Sequence, residues 1–141
     1  MLGSMPDFTN SANIVNVDFS YNNFTGEIPL FNKLNSLQIL EISNNNLSGS
    51  LTNGHFPSIA TSSLRYLHVA LNSLTGTIPP AAFSQPNVYY ISLSLNSFTG
   101  GIPTLSSVST KLTSLWLGRS VAGGNVSSSL WNIPSLQIFV L

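Results

Sequence analysis

Asn72-Ser-Leu-Thr-Gly-Thr-Ile-Pro79 returns as Asn96-Ser-Phe-Thr-Gly-Gly-Ile-Pro103 and appears earlier as Asn22-Asn-Phe-Thr-Gly-Glu-Ile-Pro29. A looser copy, Asn45-Asn-Leu-Ser-Gly-Ser-Leu-Thr52, lies between them. From the leading asparagines the steps are 23 residues (Asn22 to Asn45), 27 (Asn45 to Asn72) and 24 (Asn72 to Asn96). A further step of 24 reaches Ser120, where the asparagine is lost but Leu115, Leu117, Gly124 and Val126 keep the frame. A period of this size turns the question of fold into the question of what one repeat builds.

Upstream of each asparagine sit apolar residues at fixed offsets: Ile14, Val17 and Phe19; Leu37, Leu40 and Ile42; Leu64, Leu67 and Val69; Val88, Ile91 and Leu93. The same frame gives Leu112, Leu115 and Leu117, then Leu136, Phe139 and Leu141. The last two of each trio are separated by one residue, the alternation of a half-buried strand. One such strand per repeat predicts a parallel sheet with a crossover in every coil. Pro29, Pro79 and Pro103 argue against a long helix in that crossover, because proline fixes φ and removes a donor. Asn22, Asn45, Asn72 and Asn96 then have a structural task. A side-chain amide carries donors and an acceptor, so it can satisfy backbone groups where strand turns into crossover and can tie successive coils. Ser120 can do only part of this, which makes the fifth coil the loosest. The glycines at 26, 49, 76, 100 and 124 suit a tight bend.

The pattern L-x-x-L-x-L-x-x-N-x-L-x-G-x-I-P closely resembles the plant-type leucine-rich repeat, over nearly the whole chain. The resemblance implies a solenoid of the α/β horseshoe class, dominated by β structure, with a parallel concave sheet and an irregular or 3₁₀ convex side. The departures are Thr52 and Ser127 at the proline position, Ser120 at the asparagine position, and about three additional residues near Asn53–Thr61 that are expected to bulge from the convex side or an edge. Residues 1–141 read as one array of about five repeats, with partial repeats at both ends and no caps. Leu2-Gly-Ser-Met-Pro6 matches Thr25-Gly-Glu-Ile-Pro29, so the chain is expected to start and stop inside repeats, as a fragment does.

Charged residues make up 6% of the 141 residues, against about 25% in typical soluble domains. The formal net charge is zero, so there is no electrostatic case for nucleic acid or an anionic membrane. No stretch reaches the roughly 18 apolar residues of a membrane span. No signal-peptide pattern opens the chain, and cysteine is absent. Three glycosylation sequons, at Asn23, Asn46 and Asn125, permit a secreted reading, although composition alone would supply that number.

If the strands line the concave face, one outward column reads Asn16, Ile39, Tyr66, Tyr90, Ser114, Ile138 and its neighbour reads Asp18, Glu41, His68, Ser92, Trp116, Val140. Beyond them lie Tyr21, Asn44, Leu71, Leu95 and Arg119. Tyr66, His68, Tyr90 and Trp116, with Arg119 beside them, form the candidate ligand-contact patch, since tyrosine and tryptophan dominate binding hot spots. The plainer reading of the same aromatics is cross-strand stacking that only stabilises the sheet.

Glu41, His68 and Ser92 carry the residue types of a hydrolase triad, and Asp18 with Glu41 those of a glycosidase pair. An open strand column offers neither a nucleophile elbow nor an enclosed pocket, so no catalytic residue is assigned. Gly118-Arg-Ser-Val-Ala-Gly-Gly-Asn125 has Gly124 where a phosphate loop needs lysine. His55 and His68, read as solvent-facing, are too far apart in the frame for a metal site. No cofactor is expected. The family resemblance implies a non-catalytic recognition module from the extracellular or cell-surface part of a plant receptor-like kinase or receptor-like protein, binding protein or peptide ligands or co-receptors. The alternatives are a secreted inhibitor resembling the polygalacturonase-inhibiting proteins, or a fragment of an enzyme whose kinase domain lies outside this chain.

Overall fold

A computed structural model describes residues 2–105, 107–122 and 124–141. The concave sheet has six parallel strands of three residues: β2 (Asn16–Asp18), β4 (Ile39–Glu41), β6 (Tyr66–His68), β7 (Tyr90–Ser92), β9 (Ser114–Trp116) and β11 (Ile138–Val140). They stack in chain order, each in register with the last, so that Val17, Leu40, Leu67, Ile91, Leu115 and Phe139 form one row. The first five of these are buried, as the alternation requires. Phe139 is half-buried and leans edge-on against Trp131, with ring centroids 5.5 Å apart.

Further core rows follow the same frame. Ile42, Val69, Leu93 and Leu117 are fully enclosed, as are Leu37, Leu64, Val88 and Leu112. Phe24, Leu47, Leu74 and Phe98 close the coil on the far side of the ladder asparagines. Burying each such side chain contributes about 1.5–3 kcal/mol, so the repeated leucine frame supplies the main driving force. The convex side carries three short 3₁₀ helices, Asn53–His55, Pro80–Ala82 and Ser128–Asn132, consistent with the expected irregular convex layer.

Two features depart from the sequence reading. The segments after the ladder asparagines are not wholly irregular. They add a second, smaller parallel arrangement on one flank: β1 (Leu2–Gly3), β3 (Asn23–Glu27) and β5 (Asn46–Ser48) in one sheet, β8 (Phe98–Thr99) and β10 (Val121–Ala122) in another. Isolated bridges from Ser50 to Thr75 and from Thr77 to Thr99 continue the pairing between them. The added residues of the second coil also fold partly inward. His55, Phe56 and Pro57 are buried and anchor the segment, while Asn53, Gly54 and the residues from Ser58 to Thr61 are exposed, as a bulge requires.

His55 is likewise buried rather than solvent-facing. Its Nδ1 accepts the Thr52 backbone N–H at 3.0 Å, which leaves Nε2–H to donate to the Ile28 carbonyl of the preceding coil at 3.2 Å. It is a convex-side tie between coils, with a hydrogen bond on each ring nitrogen.

The asparagine ladder is the main polar frame. Asn45 Nδ2 donates to the Phe19 carbonyl of the coil before it at 2.9 Å, and its Oδ1 accepts the Phe24 N–H at 3.0 Å. Asn72 repeats this with Ile42 and Leu47, and Asn96 with Val69 and Leu74, at 3.0–3.1 Å. Asn22, at the start of the series, caps the Phe19 and Ser20 carbonyls of its own coil. Ser120 is buried, and its hydroxyl donates to Leu117 of its own coil at 2.6 Å, so its single donor does not reach back.

Candidate recognition surface

Immediately before each ladder position the backbone turns into the left-handed region: Tyr21, Asn44, Leu71, Leu95 and Arg119 have φ of 53–56°. Four of these are not the glycine or asparagine that accepts this conformation without strain. The turn projects them from the end of the concave strands, where Tyr21 is 81% exposed and Leu71, Leu95 and Arg119 are also exposed. Hydrophobic periodicity carries no signal for this turn. The signal is the position itself, one residue before every ladder asparagine.

On the strands, the structure brings Tyr66, His68 and Tyr90 together. The Tyr66 and Tyr90 rings are stacked across β6 and β7, with centroids 4.4 Å apart and planes 8° from parallel. This spacing is close to the roughly 4.8 Å between neighbouring strands, so parallel register alone puts the rings face to face. The imidazole of His68 meets both tyrosines edge-on, at 6.1 and 5.9 Å. His68 Nδ1 contacts Glu41 Oε2 on β4 at 2.7 Å, and Tyr66 Oη lies 3.4 Å from the same nitrogen. Among the described residues the Glu41–His68 contact is the one within 4 Å between a carboxylate and a basic side chain. Glu41 is fixed in turn by Oε1, which accepts the Ser43 N–H at 3.1 Å.

The result is a half-buried, pre-positioned cluster spanning three coils, not a set of loose side chains. Burial, and then the neighbouring Tyr90 and Glu41, hold the Tyr66 phenol well above its usual range. Tyr66 is therefore a hydroxyl donor at every physiological pH. On the first coil, the hydroxyl and backbone N–H of Ser20 hold the Asp18 carboxyl below its ordinary value.

Trp116 is half-buried and stands outside the stack, with Ser92 between it and His68 in the strand register. Its indole Nε1 is enclosed without a hydrogen-bond partner. Arg119 lies on the left-handed turn of the same coil, exposed. The patch is thus a core of Tyr66, His68 and Tyr90, with Trp116 and Arg119 at one side.

The triad-like column has no catalytic geometry. Glu41 and His68 pair, but Ser92 is 4% exposed and cannot meet a substrate. Among the described residues no group of three metal-ligating side chains comes together, and no helix is long and apolar enough to cross a membrane.

Comparison with known proteins agrees with this architecture. The family model described as Leucine Rich Repeat matches residues 36–58 and 63–84. Receptor like protein 24 of Arabidopsis thaliana is 36% identical over 63 residues, covering 45% of this chain and 7% of that protein. The plant peptide hormone receptor RGFR1, solved in complex with RGF2, superposes with a TM-score of 0.86 at 33% identity, covering 96% of this chain and 21% of the receptor chain. The structure of PEPR1 with AtPEP1 gives 0.81 at 28% identity, covering 99% and 19%. The chain therefore spans a small part of the length of each of these three proteins.

Proposed function

We propose that this chain, whose repeats are similar to the leucine-rich repeat family and to plant receptors, is a non-catalytic recognition segment of a cell-surface receptor, binding a peptide or protein on its concave sheet. The observation that carries this reading is the cluster of Glu41, Tyr66, His68 and Tyr90 at the middle of that sheet. A stacked and hydrogen-bonded group has little rotamer freedom left to lose, so it binds at low entropic cost. Its tyrosines present apolar ring edges and polar hydroxyls together, the chemistry of an anchor for an extended peptide. Exposed Ile39, in register with Tyr66, and Leu71 and Leu95, on the turns after β6 and β7, add apolar surface beside it. The similarity to receptors solved with peptide ligands supports the same ligand class and an extracellular setting.

The test is selection from a displayed random-peptide library on the immobilised chain, followed by titration of the selected peptides. Tyr66→Ala and Tyr90→Ala should each weaken them by about tenfold or more, as for a hot-spot residue, while the flank variant Thr75→Ala leaves affinity unchanged. Selected peptides indifferent to both tyrosine substitutions would exclude the concave cluster as the binding site.

A further inference from the structure

We propose that Glu41 holds the proton of the His68 imidazole on Nδ1, so that Nε2 faces the concave side as a hydrogen-bond acceptor and selects ligands that present an O–H or N–H donor there. This rests on the concave sheet being the binding face, and it names the chemistry that face reads.

The tautomer follows from the neighbours of the ring. Glu41 Oε2 stands 2.7 Å from His68 Nδ1. An ionised carboxylate has lone pairs and no proton to give, so a contact this short needs the hydrogen on Nδ1. With that proton in place Nδ1 has no lone pair left, and the Tyr66 hydroxyl, 3.4 Å away, cannot donate to it. In the neutral ring the lone pair is then on Nε2. Among the described residues Nε2 has no hydrogen-bond partner, and it is not enclosed, unlike the unpartnered indole Nε1 of Trp116. The His68 side chain is 23% exposed, and Nε2 is part of what it shows. His55 is the opposite case. Its Nδ1 accepts the Thr52 N–H, so its proton is on Nε2. The two histidines of the chain hold opposite tautomers, each set by its partner.

The surroundings make this acceptor selective. Glu41 is in register with His68 on one side and with Asp18 on the other, which puts two carboxylates in the same outward column. No outward residue of the six concave strands is lysine or arginine; Arg65 and Arg119 lie outside the strands. A carboxylate or phosphate on a ligand is therefore repelled at this point, and a hydroxyl, an amide N–H or an ammonium group is matched. Edge-on contacts with Tyr66 and Tyr90 hold the imidazole plane, so the Nε2 lone pair has a fixed direction. A bound ligand without a donor leaves that lone pair unpaired, the situation in which polar sites discriminate most strongly.

Glu41 is itself oriented, because its Oε1 accepts the Ser43 N–H at 3.1 Å. That contact decides what Glu41→Gln does. The amide oxygen stays on the Ser43 N–H, the amide NH2 turns to His68 and donates to Nδ1, and the ring proton moves to Nε2. The substitution reverses the polarity offered to the ligand while keeping every side chain in place.

Long-range proton–nitrogen correlation spectra of the chain with isotopically labelled histidine, in mildly alkaline buffer, read both tautomers without any ligand. The wild-type chain should show one ring protonated on Nδ1 and one on Nε2, and His68→Gln should remove the first. Glu41→Gln should show both rings protonated on Nε2. A wild-type His68 protonated on Nε2, or on both nitrogens, overturns the proposal. The ligand half is read on peptides selected from the displayed library. Those that depend on Tyr66 and Tyr90 should lose about tenfold in affinity when their donor residue is replaced by an isostere without the donor, and the loss should vanish in Glu41→Gln. Tyrosine-dependent peptides with no such coupling overturn the donor assignment while the recognition reading stands. Peptides indifferent to both tyrosines overturn the recognition reading and the ligand assignment with it, while the tautomer stands on its own spectrum.

Discussion

Replacing Asn72 by leucine removes four hydrogen bonds, but they are not equivalent. Nδ2 donates to the Ile42, Val69 and Ala70 carbonyls at 3.0, 3.2 and 3.2 Å, and Oδ1 accepts the Leu47 N–H at 3.0 Å. After the change the Val69 carbonyl keeps Asn96 and the Ala70 carbonyl keeps the Asn44 N–H. The Ile42 carbonyl keeps only the longer bond from Asn45, at 3.3 Å. The Leu47 N–H, in a residue with no exposure, has no replacement. One orphaned buried donor costs about 1–3 kcal/mol and one weakened acceptor about 0.5–1.5 kcal/mol, so the expected loss is about 2–4 kcal/mol. Ser120→Ala differs in kind. The Leu117 carbonyl that loses the Ser120 hydroxyl still accepts the Ser120 N–H at 3.0 Å. No group is orphaned, and the expected loss is about 1 kcal/mol. Urea unfolding followed by circular dichroism separates the two, with a midpoint shift of roughly 1–2 M for Asn72→Leu at the slopes usual for small proteins. Equal midpoint shifts for both variants would refute the ladder as the frame that joins the coils.

Leu71→Asn should stabilise the chain by about 1 kcal/mol, because asparagine tolerates the φ of 56° that leucine holds under strain; a lower melting temperature would show that the packing of Leu71 outweighs the strain. Gly124→Ala should cost about 1–3 kcal/mol, since an added Cβ collides with the Gly101 backbone. Gly26→Ala, with open space but a φ of 82°, should cost about 1 kcal/mol, and the two melting curves check the order. The Tyr66 phenol is held above its ordinary range, so the folded state binds that proton more tightly than the unfolded state does. Its stabilising contribution is complete below about pH 10 and declines as pH rises beyond that value. Tyr66→Phe should flatten the alkaline fall in stability, and the ultraviolet difference titration between the two proteins should place the Tyr66 step late.

The parallel sheet was legible because Val17, Leu40, Leu67, Ile91 and Leu115 recur with one outward residue on either side, and a one-residue slip would have turned every one of them to water. The ladder was legible because an amide is the side chain that both donates to and accepts from the adjacent coil. The tyrosine patch followed from register, and its stacked geometry followed from strand spacing. The flank strands were not legible, because Asn-Phe-Thr-Gly has glycine in a strand and reads as a bend. His55 escaped for a different reason. Its partners, Thr52 and Ile28, come from its own turn and from the previous coil, and no periodic pattern encodes that meeting. Gly124 was placed with the bend glycines, yet its need is the close approach of Gly101 and not the positive φ found at Gly26.

The ladder also has a direction. Asn45, Asn72 and Asn96 each bind the coil before them, so every coil is locked by the one made after it during synthesis. Ser120 omits that lock, but the fourth and fifth coils are tied elsewhere: Thr113 Oγ1 donates to the Tyr89 carbonyl at 3.0 Å and Lys111 Nζ to Asn87 Oδ1 at 2.7 Å. At this one junction the polar tie therefore moves from the turn after the concave strand to the turn before it, and the lock that synthesis completes last elsewhere is made here before the strand is laid down.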